Sequence, residues 1–358
     1  MEEILESQMN SLNINQFLDS AQTFTNEIFP DFNINDFFYS SLTGNFNNIS
    51  IINYIAKILS EELMIAISLI SSVLIIIVIH SIFKTITESL GNSTASQVVY
   101  MIQYLVIVTM ITNTLVSVLD ITKNSISELI NFMNLLIPIL ITLMLTTGCI
   151  VTTGMVQPIL ILLITFIGNF INNFIIPIVL ISIVFSIVSN ISNKLNINRI
   201  SKFMKSTIIW VIGILFTIFT STLSIEGTLS SSVDGMTAKT AKAVVSNFIP
   251  VVGKIMGDAV ETVIGCGNIL KNSIGVLGVI IIVGITLIPV IKITLLMFSF
   301  KLTSAVCEII ADEKIVKLID DISDTYKILL AILMSVSIMF IIGITIVIKI
   351  TNSSIMYR

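Results

Sequence analysis

The sequence predicts an all-α, polytopic integral membrane protein with about eight transmembrane helices and an extracytoplasmic amphipathic helical hairpin. Three observations predict it. Hydrophobic residues make up 55% of the 358 and charged residues 11%, with a mean hydropathy of +1.03, far outside soluble averages. The apolar residues gather into charge-free runs close to the ~20 residues a helix needs to cross the hydrocarbon core. One long segment, 226–272, breaks this pattern with polar, charged and small residues on helical spacing.

In chain order, residues 1–61 form an acidic segment, with eight Asp and Glu against Lys57 and short apolar clusters such as Ile28, Phe29, Phe32, Ile34, Phe37 and Phe38. Such clusters predict small amphipathic helices and no large core. Eight apolar runs follow, at 63–83, 98–119, 132–151, 155–171, 174–191, 206–225, 273–291 and 328–348. Thr152, Thr153 and Gly154 separate the third from the fourth, and Asn172 and Asn173 the fourth from the fifth. These three runs are therefore expected to form tight hairpins or partly re-entrant segments. The division predicted is a six-helix membrane region over 62–225, the hairpin over 226–272 and a two-helix membrane region over 273–358.

Lys194, Arg199, Lys202 and Lys205 crowd one connection, and Lys301, Lys314, Lys317 and Lys327 another. The positive-inside rule places both in the cytoplasm, and eight spans satisfy both at once. The acidic tail, the 120–131 loop, the 226–272 segment and the carboxyl terminus then lie outside. Between Thr303 and Asp324, Val306, Ile309, Ile310, Ile315, Leu318, Ile319 and Ile322 recur at helical spacing among charges. That pattern fits an amphipathic helix on the cytoplasmic surface or one packed on its own bundle.

Within 226–272 two helical periods appear. Val233, Met236, Thr237, Ala241, Val244, Val245 and Phe248 make one apolar stripe, with Lys239 and Lys242 between them and Asp234 and Gly235 at the start. Pro250 removes a backbone donor and disfavours helix at Ile249, so the first helix should end there. Val252, Ile255, Met256, Ala259, Val260, Val263 and Ile264 make the second stripe, opposite Lys254, Asp258 and Glu261, until Gly265, Cys266 and Gly267 interrupt it. Gly253 and Gly257 have the spacing of a close helix contact. The candidate interaction or conduit surface is thus Lys239, Lys242, Pro250, Gly253, Lys254, Gly257, Asp258 and Glu261.

The same stretch, SSVDGMTAKTAKAVVSNFIPVVGKIMGDAVETVIGCGNILKNSIG, closely resembles the signature region of the stage III sporulation protein AE family of endospore-forming bacteria. The resemblance extends through NFMNLLIPILITLM, QPILILL and the helix pair ending at Ile348, covering the chain from about Asn10 onward. It implies an integral membrane subunit of a secretion-like channel joining mother cell and forespore, in the mother-cell membrane around the forespore. The partners it implies are the other membrane proteins and the ATPase of the same operon, and a forespore-side channel protein. Relatives commonly begin with a signal peptide, whereas MEEILESQMN has neither a basic start nor an apolar core. Either the start is truncated or the tail crosses unaided.

Chemistry is sparse. No Walker A loop, strand-borne GxGxxG, HExxH or GxSxG occurs. Cys149, Cys266 and Cys307 lie far apart without metal-ligand spacing, and His80 closes the first run as an interfacial residue. No catalytic residue, cofactor, metal or nucleic-acid partner is expected. The eight runs carry no Asp, Glu, Lys or Arg, which argues against an ion-coupled transporter. Lys292 comes nearest and is expected to snorkel to the cytoplasmic interface. Four runs share a phrase, LIPILI, VQPILI, IIPIVL and LIPVIK, which in so Ile-rich a chain reads as coincidence. Polar and small residues inside the runs, such as Gln103, Asn113, Gly275 and Gly278, suit helix association without water, as in an assembly subunit.

Overall fold

A computed structural model describes residues 2–26, 33–43, 49–89, 93–191, 197–248 and 252–356. Among these residues every regular element is helical, and the helices are longer than the apolar runs. Three short helices, α1 (Glu2–Ser11), α2 (Ile14–Asn26) and α3 (Ile34–Thr43), precede α4 (Ile49–Ser89) and α5 (Ser93–Thr146). Then come α6 (Ile150–Phe170), a π-helical turn (Ile171–Ile175), α7 (Ile176–Ile191), α8 (Asn198–Phe248), α9 (Val252–Cys307) and α10 (Glu313–Met356). In the amino-terminal segment Ile34 and Phe38 are buried, as are Ile14, Phe17 and Leu18, while Ile28, Phe29 and Phe32 lie outside the described residues. These helices pack on α5 and α9, with Phe24 edge-on to Phe132 at 5.6 Å between ring centroids. Asn13, at a φ of 52°, turns the chain between α1 and α2, a left-handed position that asparagine tolerates.

Among the described residues, six helices are long and apolar enough to cross a membrane: Leu59–Phe83, Tyr104–Thr146, Ile150–Asn190, Asn198–Asp234, Thr262–Cys307 and Glu313–Ile350. Two pairs of the predicted eight runs are each joined in one continuous helical stretch. The second and third runs are one helix, α5, because 120–131 contains no Gly or Pro to stop it. Its Thr122, Ser125, Ile126 and Leu129 form a buried stripe at spacings of three and one, so the expected loop is an amphipathic helical turn. The fourth and fifth runs also join, because Asn172 and Asn173 sit in the π turn, where the Ile176 N–H reaches back to the Ile171 carbonyl. Pro177 follows at once. A proline needs room at the carbonyl four residues earlier, and widening the preceding turn provides it. The two stretches expected as loops meet each other, Asn172 Nδ2 donating to Ser127 Oγ at 3.0 Å.

The real reversal after α5 lies earlier than 152–154. Gly148, at a φ of 80°, ends the helix in the left-handed region, with its N–H on the Leu145 carbonyl and the Cys149 N–H on that of Met144. Nor does helical structure stop at the predicted edges of the hairpin. α8 runs unbroken from Asn198 to Phe248 and α9 from Val252 to Cys307, so the amphipathic segments are continuations of apolar helices. Gly265 and Gly267 do not interrupt α9. Over 303–324 the chain turns at 308–312, so the expected surface helix is the end of α9 and the start of α10, with Ile315, Leu318, Ile319 and Ile322 buried in the bundle.

α9 is the central column, packed on α10, α5 and α4, while α8 packs on α10, α6 and α7. Lipid is as apolar as leucine, so close fit rather than transfer from water must hold such helices together. Glycine supplies that fit. A Cβ on Gly275 would strike Ile348 of α10, and one on Gly227 would strike Ile350.

Candidate functional site

The base of the α8–α9 pair is where polar chemistry concentrates. α6 starts after Cys149, whose side chain does not cap it. The first backbone N–H groups of a helix need acceptors, and buried ones need them most. Asp234, projecting from α8 and 3% exposed, supplies both: its carboxylate oxygens accept from the Val151 N–H and the Thr152 N–H, each at 2.9 Å. A carboxylate at a helix amino terminus also meets the positive end of the dipole. Asp234, expected at the start of a helix, sits within α8 and caps a different one.

α9 closes the cluster. Gly267 lies so near the α5–α6 turn that a Cβ would approach Thr146 Oγ1 to 3.1 Å and Thr147 Cγ2 to 3.2 Å. Lys271 is fully buried, donates to Asn268 Oδ1 at 3.2 Å and is an electrostatic neighbour of Cys149. Beside it on the chain the Asn272 Oδ1 atom is buried with no hydrogen-bond partner among the described residues, as is Thr152 Oγ1 on α6. From outside, Gln8 of α1 donates to the Val263 carbonyl at 3.1 Å. Sequence reasoning missed Lys271 altogether. The available signal was a lysine two residues ahead of a charge-free run, where burial needs fixed partners.

Of the residues singled out from sequence, Lys239 and Lys242 lie on α8, and Gly253, Lys254, Gly257, Asp258 and Glu261 on α9. Their side chains, and Pro250, lie outside the described residues. Both helices that carry them rise directly from the Asp234 and Lys271 cluster.

The opposite end gathers the two basic segments, as their shared sidedness requires. Lys205 Nζ donates to the Asp321 carbonyl at 2.8 Å, and Lys301 pairs with Asp320. Ser201 Oγ donates to the Ser182 carbonyl at 2.7 Å and lies 2.8 Å from Ser186 Oγ. Lys292 does not stand alone: its Nζ lies 3.4 Å from Glu62 Oε1 of α4, both side chains largely shielded. The three cysteines are free thiols, each buried.

A helical membrane protein whose long apolar helices end in two polar clusters is thus defined. The chain belongs to the stage III sporulation protein AE family (spore_III_AE), whose profile matches residues 32–351. It is 29% identical over 286 residues to the stage III sporulation protein AE of Bacillus subtilis (strain 168), covering 79% of this chain and 72% of that one. No solved structure matches it.

Proposed function

We propose that this protein is a multi-pass subunit, in the mother-cell membrane around the forespore, of a secretion-like transport assembly used during endospore formation. Its role is non-catalytic. Its partners are the other membrane proteins and the ATPase of the same operon, and the forespore-side channel protein. Family membership supports the sporulation role. The observation that supports the finer reading is the shared base of α8 and α9 at the α5–α6 turn: Asp234 of α8 caps α6, and Gly267 of α9 abuts Thr146 and Thr147, while both helices continue well past the apolar runs. Such an anchored projection suits docking or the lining of a conduit. With the basic end in the cytoplasm, the end of α8 beyond Asp234 and the start of α9 extend into the intermembrane space.

The test is affinity isolation from sporulating cells. The parent chain should bring down operon partners, and Lys239→Glu with Lys242→Glu should leave abundance normal while sporulation fails. Gly257→Leu should instead lower abundance or assembly, because overpacking a close contact costs about 1 to 3 kcal/mol. Sporulation at the parental level in the double charge reversal would reduce the projection to a lid. Solute transport by the chain reconstituted alone would make it a permease.

A further inference from the structure

One cross-section of the bundle carries two unlike outer faces. Its level is fixed by contacts. Phe132 of α5 meets Phe24 of α2, and one turn further along α5 Leu136 lies against Gly278 of α9. Ile344 of α10 also reaches Gly278, and the adjoining Gly343 rests on Phe219 of α8. Ile130 of α5 abuts Gly168 of α6, within a turn of the same level.

On the α6 and α8 side this section is coated with large apolar groups. Trp210, Ile214 and Ile218 of α8 are 72%, 51% and 50% exposed, and Phe166 of α6 is 53% exposed. On the α2 and α5 side it is polar. The outer positions of α2 include Gln16, Asp19 and Thr23, while Phe17, Leu18 and Ala21 are buried beneath them. On α5 Asn131 and Asn134 are exposed, and the same stripe continues through Asn124 and Lys123 to Asp120, about three turns from Phe132. No single medium suits both faces. Water all round would meet a broad apolar surface on α6 and α8. Lipid all round would meet Asp19, Asp120 and Lys123, and charges at membrane depth face a bundle interior or a water-filled cavity.

We infer that lipid covers the α6 and α8 side of this section and water the α2 and α5 side, so that α2 and α5 form one wall of an aqueous path at membrane depth. The chain supplies that wall alone; the walls opposite rest on the transport-assembly reading. The amino-terminal helices are then not a tail beyond the bilayer. Their apolar faces bind them to α5 and α9, and their polar faces give the path its surface. A wall of amides, hydroxyls and charges of both signs fits hydrophilic cargo.

The experiment uses membranes isolated from sporulating cells, with the assembly in place. A charged methanethiosulfonate needs a thiolate in water, so Thr23→Cys and Asn131→Cys should react about tenfold faster than Ile214→Cys and Ile218→Cys. The three native cysteines are buried and set the background. On the parent chain, a diazirine dissolved in the bilayer and activated by light should label α6 and α8 around Phe166 and Ile214 and spare α2 and residues 120–134. That pattern supports the wall whether or not operon partners are recovered from the same membranes, since failed recovery bears on the assembly alone. The inference is overturned if the diazirine labels α2 or 120–134, if Thr23→Cys and Asn131→Cys resist the charged reagent, or if Ile214→Cys and Ile218→Cys react as fast as they do.

Discussion

Asp234 holds the Thr152 amide at 2.9 Å across 82 residues of sequence, joining α8 to the first turn of α6. Removing the carboxylate leaves two buried N–H groups without acceptors. Asp234→Ala is expected to destabilise the protein by about 2 kcal/mol, and Asp234→Asn, which keeps one acceptor, by less. Thermal unfolding of the detergent-solubilised variants checks the order.

The Glu62 and Lys292 pair predicts a measurable coupling. Because both side chains are largely shielded, removing one strands the other. Glu62→Gln or Lys292→Gln alone should cost about 1 to 3 kcal/mol, and the double variant less than the sum. An additive double-mutant cycle would show the contact to be incidental.

The meeting of the basic segments at one end predicts sidedness. Cysteines placed at Ser232 and Glu308, both exposed and at opposite ends of the bundle, should label differently in intact cells. Ser232→Cys should react with an impermeant maleimide and Glu308→Cys only after permeabilisation. The reverse pattern would invert the orientation.

The amino-terminal helices are part of the core rather than an appendage. Phe17→Ala, at a buried site of α2, should cost about 3 to 5 kcal/mol, against about 0.5 kcal/mol or less for Gln16→Ala on the exposed face. Equal abundance and equal melting of the two would detach these helices from the bundle's stability.

Helical character was legible from composition and period. What sequence reading could not supply was where helices end. Asn172 and Asn173 look like a turn until a proline five residues on and a serine on another helix are seen to hold them in a π turn. The 120–131 segment looks like a loop because its charges stand out, while its buried stripe, Thr122, Ser125, Ile126 and Leu129, is half hydroxylic and invisible to hydropathy. Asp234 and Lys271 were missed at the site for a related reason. Their partners come from helices distant in sequence, and no local pattern announces a cap given to another element.

The glycine sockets on α8 and α9 have a consequence for packing. Ile348 and Ile350 seat where Gly275 and Gly227 offer no side chain, so α10 lies close against α9 and α8 at these two places. α8, α9 and α10 thus share two close contacts at glycine. α4 has no such contact at a described glycine: it rests mainly on α5 and α9 and is joined to α9 by a single described ion pair.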